Sequence, residues 1–194
     1  MKPIERSEIL PLGDYEGIRP HFRARVIEDK KPRRFALGPI LSGVFENRDT
    51  VLLQIQEMLR TERITSEPAI LHEIETYNEL LPGEDEISMT CFLEISDKAA
   101  REEALVKLVG LERAFAVEVD GQVYPATNTR EEDISDQRTT AIHYLKAKVP
   151  SAAAAKIKAR DAKVAILVRH PGYEARAELG KAGLLALAAD LATP

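Results

Sequence analysis

Three sets of side chains in this sequence have types and spacings that could do chemistry. Arg48, Glu57 and Arg60 lie in the stretch from Phe45 to Leu81. If that stretch is helical, Glu57 and Arg60 stand one turn apart and Arg48 stands at the start. The set could form a bidentate guanidinium clamp for a carboxylate or phosphate, and the helix N-terminus at Asp49 would assist an anion although Asp49 itself opposes one. The same three residues also fit a buried Arg–Glu network that fixes a pair of helices. Tyr77 and Asn78 belong to the inward stripe of the following helix and join this set as ligand or docking candidates.

The second set is His72, Glu75 and Glu79, which share one helical face, a spacing by which imidazole and carboxylates can converge on a metal. Di-iron bundles use Glu-x-x-His, whereas here the order is His72-x-x-Glu75. His72-Glu73 opens a zinc-protease motif, but Thr76 stands where its second histidine belongs. An exposed charged helix face accounts for these residues equally well. The third set is Cys91 with His143. Cys91 sits in an apolar alternation, which reads as a buried thiol, since a reactive thiolate needs exposure and positive neighbours. His143 takes the equivalent place in an internal repeat, so the pair matters if the sheet brings the two together. The sequence has no G-x-G-x-x-G, no G-x-x-x-x-G-K-[ST] and no G-x-S-x-G. No catalytic constellation is complete and no cofactor is predicted.

The elements that must position these residues follow from periodicity. Val51, Leu52, Ile55, Met58 and Leu59 recur at helical spacing behind Asn47 or Asp49 as N-cap. A second helix opens at Thr65-Ser66, carries Pro68 in its first turn and stops at Pro82-Gly83. Before this pair, Asp14 to Asp29 reads as an amphipathic helix that could begin at Pro20, followed by a basic run. Phe35 to Phe45 reads as a short edge strand broken by glycines. The acidic stretch from Glu62 to Glu86 lies opposite the basic one, and the two could pair within the chain, across a dimer or with another protein.

From residue 87 the period becomes alternating. Ile87 to Ile95 is a strand, Ser96-Asp97 caps a helix, and Phe115 to Val119 turns through Asp120-Gly121 into a further strand. The same order recurs from Thr140 to Leu179, and overlaying the units sets Cys91 on His143. Asn128 to Arg138 reads as the linker between them, and Gly180 to Ala192 as a closing helix. The predicted fold is α+β: an N-terminal helical region (1–86) packed on a mostly antiparallel sheet of about six strands, built from two β-α-β-β repeats (87–194), the whole forming one compact unit.

The chain has 194 residues, 44% hydrophobic and 30% charged, with net charge −5. That balance argues against non-specific nucleic-acid binding. A single cysteine cannot close an internal disulfide or hold an iron–sulfur cluster. The N-terminus lacks a signal-peptide core, and the apolar run near the C-terminus is too short to span a bilayer, so a soluble cytoplasmic protein with no membrane partner is expected.

The segments Phe45-Glu46-Asn47-Arg48-Asp49-Thr50, Gln54-Ile55-Gln56-Glu57-Met58-Leu59, Glu75-Thr76-Tyr77-Asn78-Glu79-Leu80-Leu81-Pro82-Gly83 and Tyr144-Leu145-Lys146 resemble an uncharacterised bacterial family catalogued as a domain of unknown function. The resemblance covers nearly the whole chain. It implies genes beside those of rubrerythrin-like proteins and iron–sulfur proteins similar to heterodisulfide reductase subunits, and hence redox or peroxide-defence (oxidative stress) work. The leading expectation is a non-enzymatic accessory protein that docks on such a redox protein, or on itself as a homodimer, through the helices from Arg48 to Asn78. The alternative is a small-molecule or metal-binding module, in principle an enzyme, with its site between the helix pair and the sheet.

Overall fold

A computed structural model describes residues 1–130 and 134–193. Its elements are α1 (Leu12–Lys30), β1 (Arg34–Leu37), β2 (Leu41–Phe45), α2 (Arg48–Thr61), α3 (Glu67–Asn78), β3 (Glu86–Leu93), α4 (Lys98–Lys107), β4 (Phe115–Val119), β5 (Gln122–Pro125), β6 (Thr127–Asn128), β7 (Ile142–Lys148), α5 (Ser151–Lys158), β8 (Val164–His170), β9 (Tyr173–Glu178) and α6 (Lys181–Ala192). The fold is α+β, with N-terminal helices packed on antiparallel sheets.

The repeat is present in the element order, β3-α4-β4-β5 and then β7-α5-β8-β9, but it builds two sheets where one was expected. One sheet runs β1-β2-β3-β7-β6 and the other β5-β4-β8-β9. The reason lies in the connections. Helices α4 and α5 carry the chain across the core instead of back beside the strand just left. The first strands of the two units therefore pair with each other, as do the second strands. Residues 1–86 share the first sheet, because β2 pairs along β3 from Leu41↔Leu93 to Phe45↔Met89.

The stretch from Phe35 to Phe45 is likewise a hairpin, not a lone edge strand. It turns at Gly38, whose φ of 70° suits glycine, and it places β2 inside the sheet. Helix α1 runs straight through Pro20 instead of beginning there. Part of the linker read at 128–138, residues 131–133, lies outside the described residues.

Strand β3 is buried on both faces, and this fixes the layering. Its odd-numbered residues Ile87, Met89, Cys91 and Leu93 enter a core with Phe35, Phe45, Phe115, Val117, Ile166 and Leu187. Its even-numbered face looks toward a second core, where Val51, Ile55 and Leu59 of α2 meet Ile70, Ile74 and Tyr77 of α3, with Ile4, Ile9 and Tyr144 against them. Helix α2 starts where Asn47 accepts from Thr50 N at 2.9 Å while Thr50 Oγ1 accepts from Asn47 N, a reciprocal cap. The last helix is tied back by a buried bidentate pair between Arg33 and Asp190.

Candidate functional site

The residues predicted to form a clamp are held, but by different partners. Arg48 reaches back to Glu8 at 2.5 Å and to the carbonyl of Lys2. Glu57 accepts from Arg19 through both oxygens, at 2.7 and 2.8 Å, and from Tyr15 Oη at 2.6 Å. Arg60 donates to Glu16 at 2.6 Å. Asn78 pairs through its side-chain amide with both backbone groups of Ile4. The helix pair is thus itself wrapped by α1 and the N-terminal segment, and its charges are engaged there. The Arg19 guanidinium and the Tyr15 hydroxyl hold the Glu57 carboxyl down to about 2 against the cost of its partial burial. Tyr15, buried and donating to that carboxylate, is raised.

Tyr77 lies elsewhere, with the Arg130 guanidinium 5.9 Å from its ring centroid and 4.2 Å from that of Tyr144. Beside it an open cleft of about 280 Å³ is lined by Gln54, Glu57, Met58, Thr61, Glu62 and Tyr77. His72 and Glu75 on α3 and Glu79 just past its end are all exposed. Among the described residues, no three His, Cys, Asp or Glu side chains are grouped to hold a metal ion.

Sequence reading missed a buried carboxylate between α2 and the sheet. Glu46 is 2% exposed. It accepts from Thr90 Oγ1 at 2.6 Å, from Gln54 Nε2 at 3.1 Å and from the Thr50 hydroxyl. Two donors come from successive turns of α2 and the third from β3, so only the packing of helix on sheet completes the set. The sequence shows Glu46 only as one of four polar residues before a helix.

On the opposite face of β3, the third predicted pair does meet. Cys91 stands directly across from His143. Leu93 N donates to Ala141 O, two residues along, so Cys91 and His143 form a hydrogen-bonded pair of the antiparallel ladder, with Cα atoms roughly 5.5 Å apart. Both are fully buried, and the His143 ring lies 5.6 Å from that of Phe115.

Neither ring nitrogen of His143 makes a hydrogen bond of good geometry, although the Thr140 backbone is near enough to favour its cation. Near it, Glu112 is 4% exposed. One of its carboxylate oxygens takes the Thr139 hydroxyl at 3.1 Å, and the other has no hydrogen bond, only Arg113 at 3.9 Å. Burial keeps the imidazole neutral, pulling it down to about 4. The Glu112 carboxylate and the backbone at Thr140 favour the cation but are outweighed. Burial also raises the Cys91 thiol well above its ordinary value. As arranged, the pair is a neutral thiol beside a neutral imidazole, not an activated nucleophile. Glu112 was not anticipated; the only signal was a carboxylate set between apolar Leu111 and Phe115.

Comparison with known proteins bears on identity rather than activity. The model of a family described as "Protein of unknown function (DUF3501)" matches residues 3–191. The chain is similar to a protein of unknown function from Burkholderia pseudomallei whose crystal structure is known. The two are 32% identical with a TM-score of 0.90, over 98% of this chain and 100% of that one. No curated protein matches. Among the described residues, no helix is long and apolar enough to cross a membrane.

Proposed function

We propose, from the premise that this chain belongs to the family described as "Protein of unknown function (DUF3501)", that it is a non-enzymatic accessory protein that docks on a partner protein through the outer face of α1. The observation that carries this is the burial of α1 itself. The helix runs for 19 residues yet buries only Tyr15 and Val26. A helix so polar around its circumference gains little from the core it touches. Its outward side holds an open trough lined by Arg19, Arg23, Arg25, Ile27 and Glu28, the last paired with Lys31. Arg19 and Arg25 are tied to Glu57 and Asp49, while Arg23 has no carboxylate partner among the described residues. An acidic protein surface suits that face, because Arg23 presents an exposed guanidinium that can take a carboxylate.

The gene neighbours implied by the family resemblance make cytoplasmic rubrerythrin-like and iron–sulfur proteins the first partners to try. The test is calorimetric titration of each against wild type and Arg23→Glu, with light scattering on the protein alone. Binding that weakens ~10-fold in the variant and with rising salt supports the reading. An equally tight variant, or no binding to either class, overturns it. A homodimer that Arg23→Glu disrupts would make the second copy the partner.

One observation favours a second reading, a small-molecule site: the cleft between α2 and α3 beside Tyr77, whose ring, like that of Tyr144, lies by the Arg130 guanidinium. Tyr77→Ala changing a small-molecule binding profile while leaving partner binding intact would support it.

A further inference from the structure

Three of the four buried side-chain polar atoms without a hydrogen-bond partner, among the described residues, sit in one place: both nitrogens of His143 and one oxygen of Glu112. An orphaned buried polar atom is destabilising, so such a concentration calls for a reason. The neighbours supply one. Cys91 faces His143 across the ladder, and Met89, 1% exposed, lies two residues along β3 on the same face. A thiol, a thioether and an imidazole thus share one wall of the inner core. Its remaining surroundings are apolar: Phe115 lies against the imidazole, and the Phe35 ring fills the space over Gly43, the other cross-strand neighbour of Cys91.

We propose that Cys91, His143 and Met89 form a buried site for a single soft monovalent metal ion, Cu(I). Thiolate, thioether and imidazole are the soft set that selects this ion over hard divalent cations. Donor number points the same way, because Zn(II) normally takes four donors and Cys91, His143 and Met89 supply three. Binding displaces the Cys91 proton, which leaves to solvent, and the copper stays Cu(I) throughout. The unpaired Glu112 oxygen can accept the N–H of the ring nitrogen not bound to metal, the usual outer contact of a ligating histidine.

The inference is independent of the docking reading, and its test uses no partner. Purified full-length protein is titrated anaerobically with Cu(I) against a competing chelator, once in its native state and once by refolding with the ion present. X-ray absorption then reports the ligands. One equivalent retained with sulfur and nitrogen neighbours is expected. Cys91→Ser and His143→Phe, checked for folding by circular dichroism without metal, should each lose at least ~100-fold in affinity, and Glu112→Gln ~10-fold. If wild type yields all its copper to the chelator in both preparations, or if the folded Cys91→Ser and His143→Phe variants keep the equivalent, the site does not exist.

Discussion

Thr90 and Cys91 are consecutive on β3 and point to opposite faces of the same sheet, where buried polar groups live on opposite terms. On the Thr90 side the Glu46 carboxylate is surrounded by three donors. On the Cys91 side His143 has none, and Glu112 is only half satisfied. A satisfied buried network locks layers together, and removing one member strands the rest. An orphaned group does the reverse: the fold tolerates it, and an apolar replacement relieves it. The first cluster is read as architecture, the second as a site kept for a ligand.

The sharpest way to break that contrast is to truncate both centres. Glu46→Ala should cost about 3 kcal/mol in denaturant unfolding, because Thr90, Thr50 and Gln54 lose their shared acceptor inside the protein. His143→Phe, similar in bulk and free of polar atoms, should fall within about 1 kcal/mol of wild type or exceed it. Equal losses in the two variants would erase the distinction.

Acid titration sharpens it further. The His143 imidazole is held down at about 4 from an ordinary 6.5, so the unfolded chain takes up the proton first. Stability from this group is complete above pH 6.5 and declines as pH falls toward 4, by about 3 kcal/mol in all. Unfolding free energies between those values should show this slope in metal-free wild type, and His143→Phe should lack it.

The smallest effect belongs to the helical layer. Glu57, held near 2 against an ordinary 4.5, contributes above pH 4.5 and loses its contribution as pH falls through 2. Because its side chain and that of Arg19 are each 27% exposed, solvent screens the pair. Glu57→Gln should cost about 1 kcal/mol at neutral pH. The two windows share only the span from pH 4 to 4.5, so a single acid series on the wild type and both variants separates the faces.

How much of this was legible follows the range of the interactions. Helix boundaries and caps are local, and Asn47, Ser66 and Asp97 can be read as N-caps from a few neighbouring residues. The repeat was visible as an order of elements, and overlaying its units brought Cys91 and His143 together. In the protein they are cross-strand partners because the two first strands pair with each other. The division into two sheets was not legible, since it depends on where α4 and α5 carry the chain. Nor were the partners of Arg48, Glu57 and Arg60. Those lie 38 to 44 residues away, and charge alone does not choose among so many carboxylates and guanidiniums. Glu112 had only its apolar flanks to mark it.

Phe35 lies directly opposite Gly43 in the hairpin, and a Cβ at that glycine would collide with the ring. Sliding β1 by two residues would bring the ring against Leu41 or Phe45 instead, where a side chain already stands. The hairpin is therefore keyed, admitting one alignment of an otherwise slippable edge strand. The smallest residue in the sheet is thereby the one that tells the outermost strand where to stop.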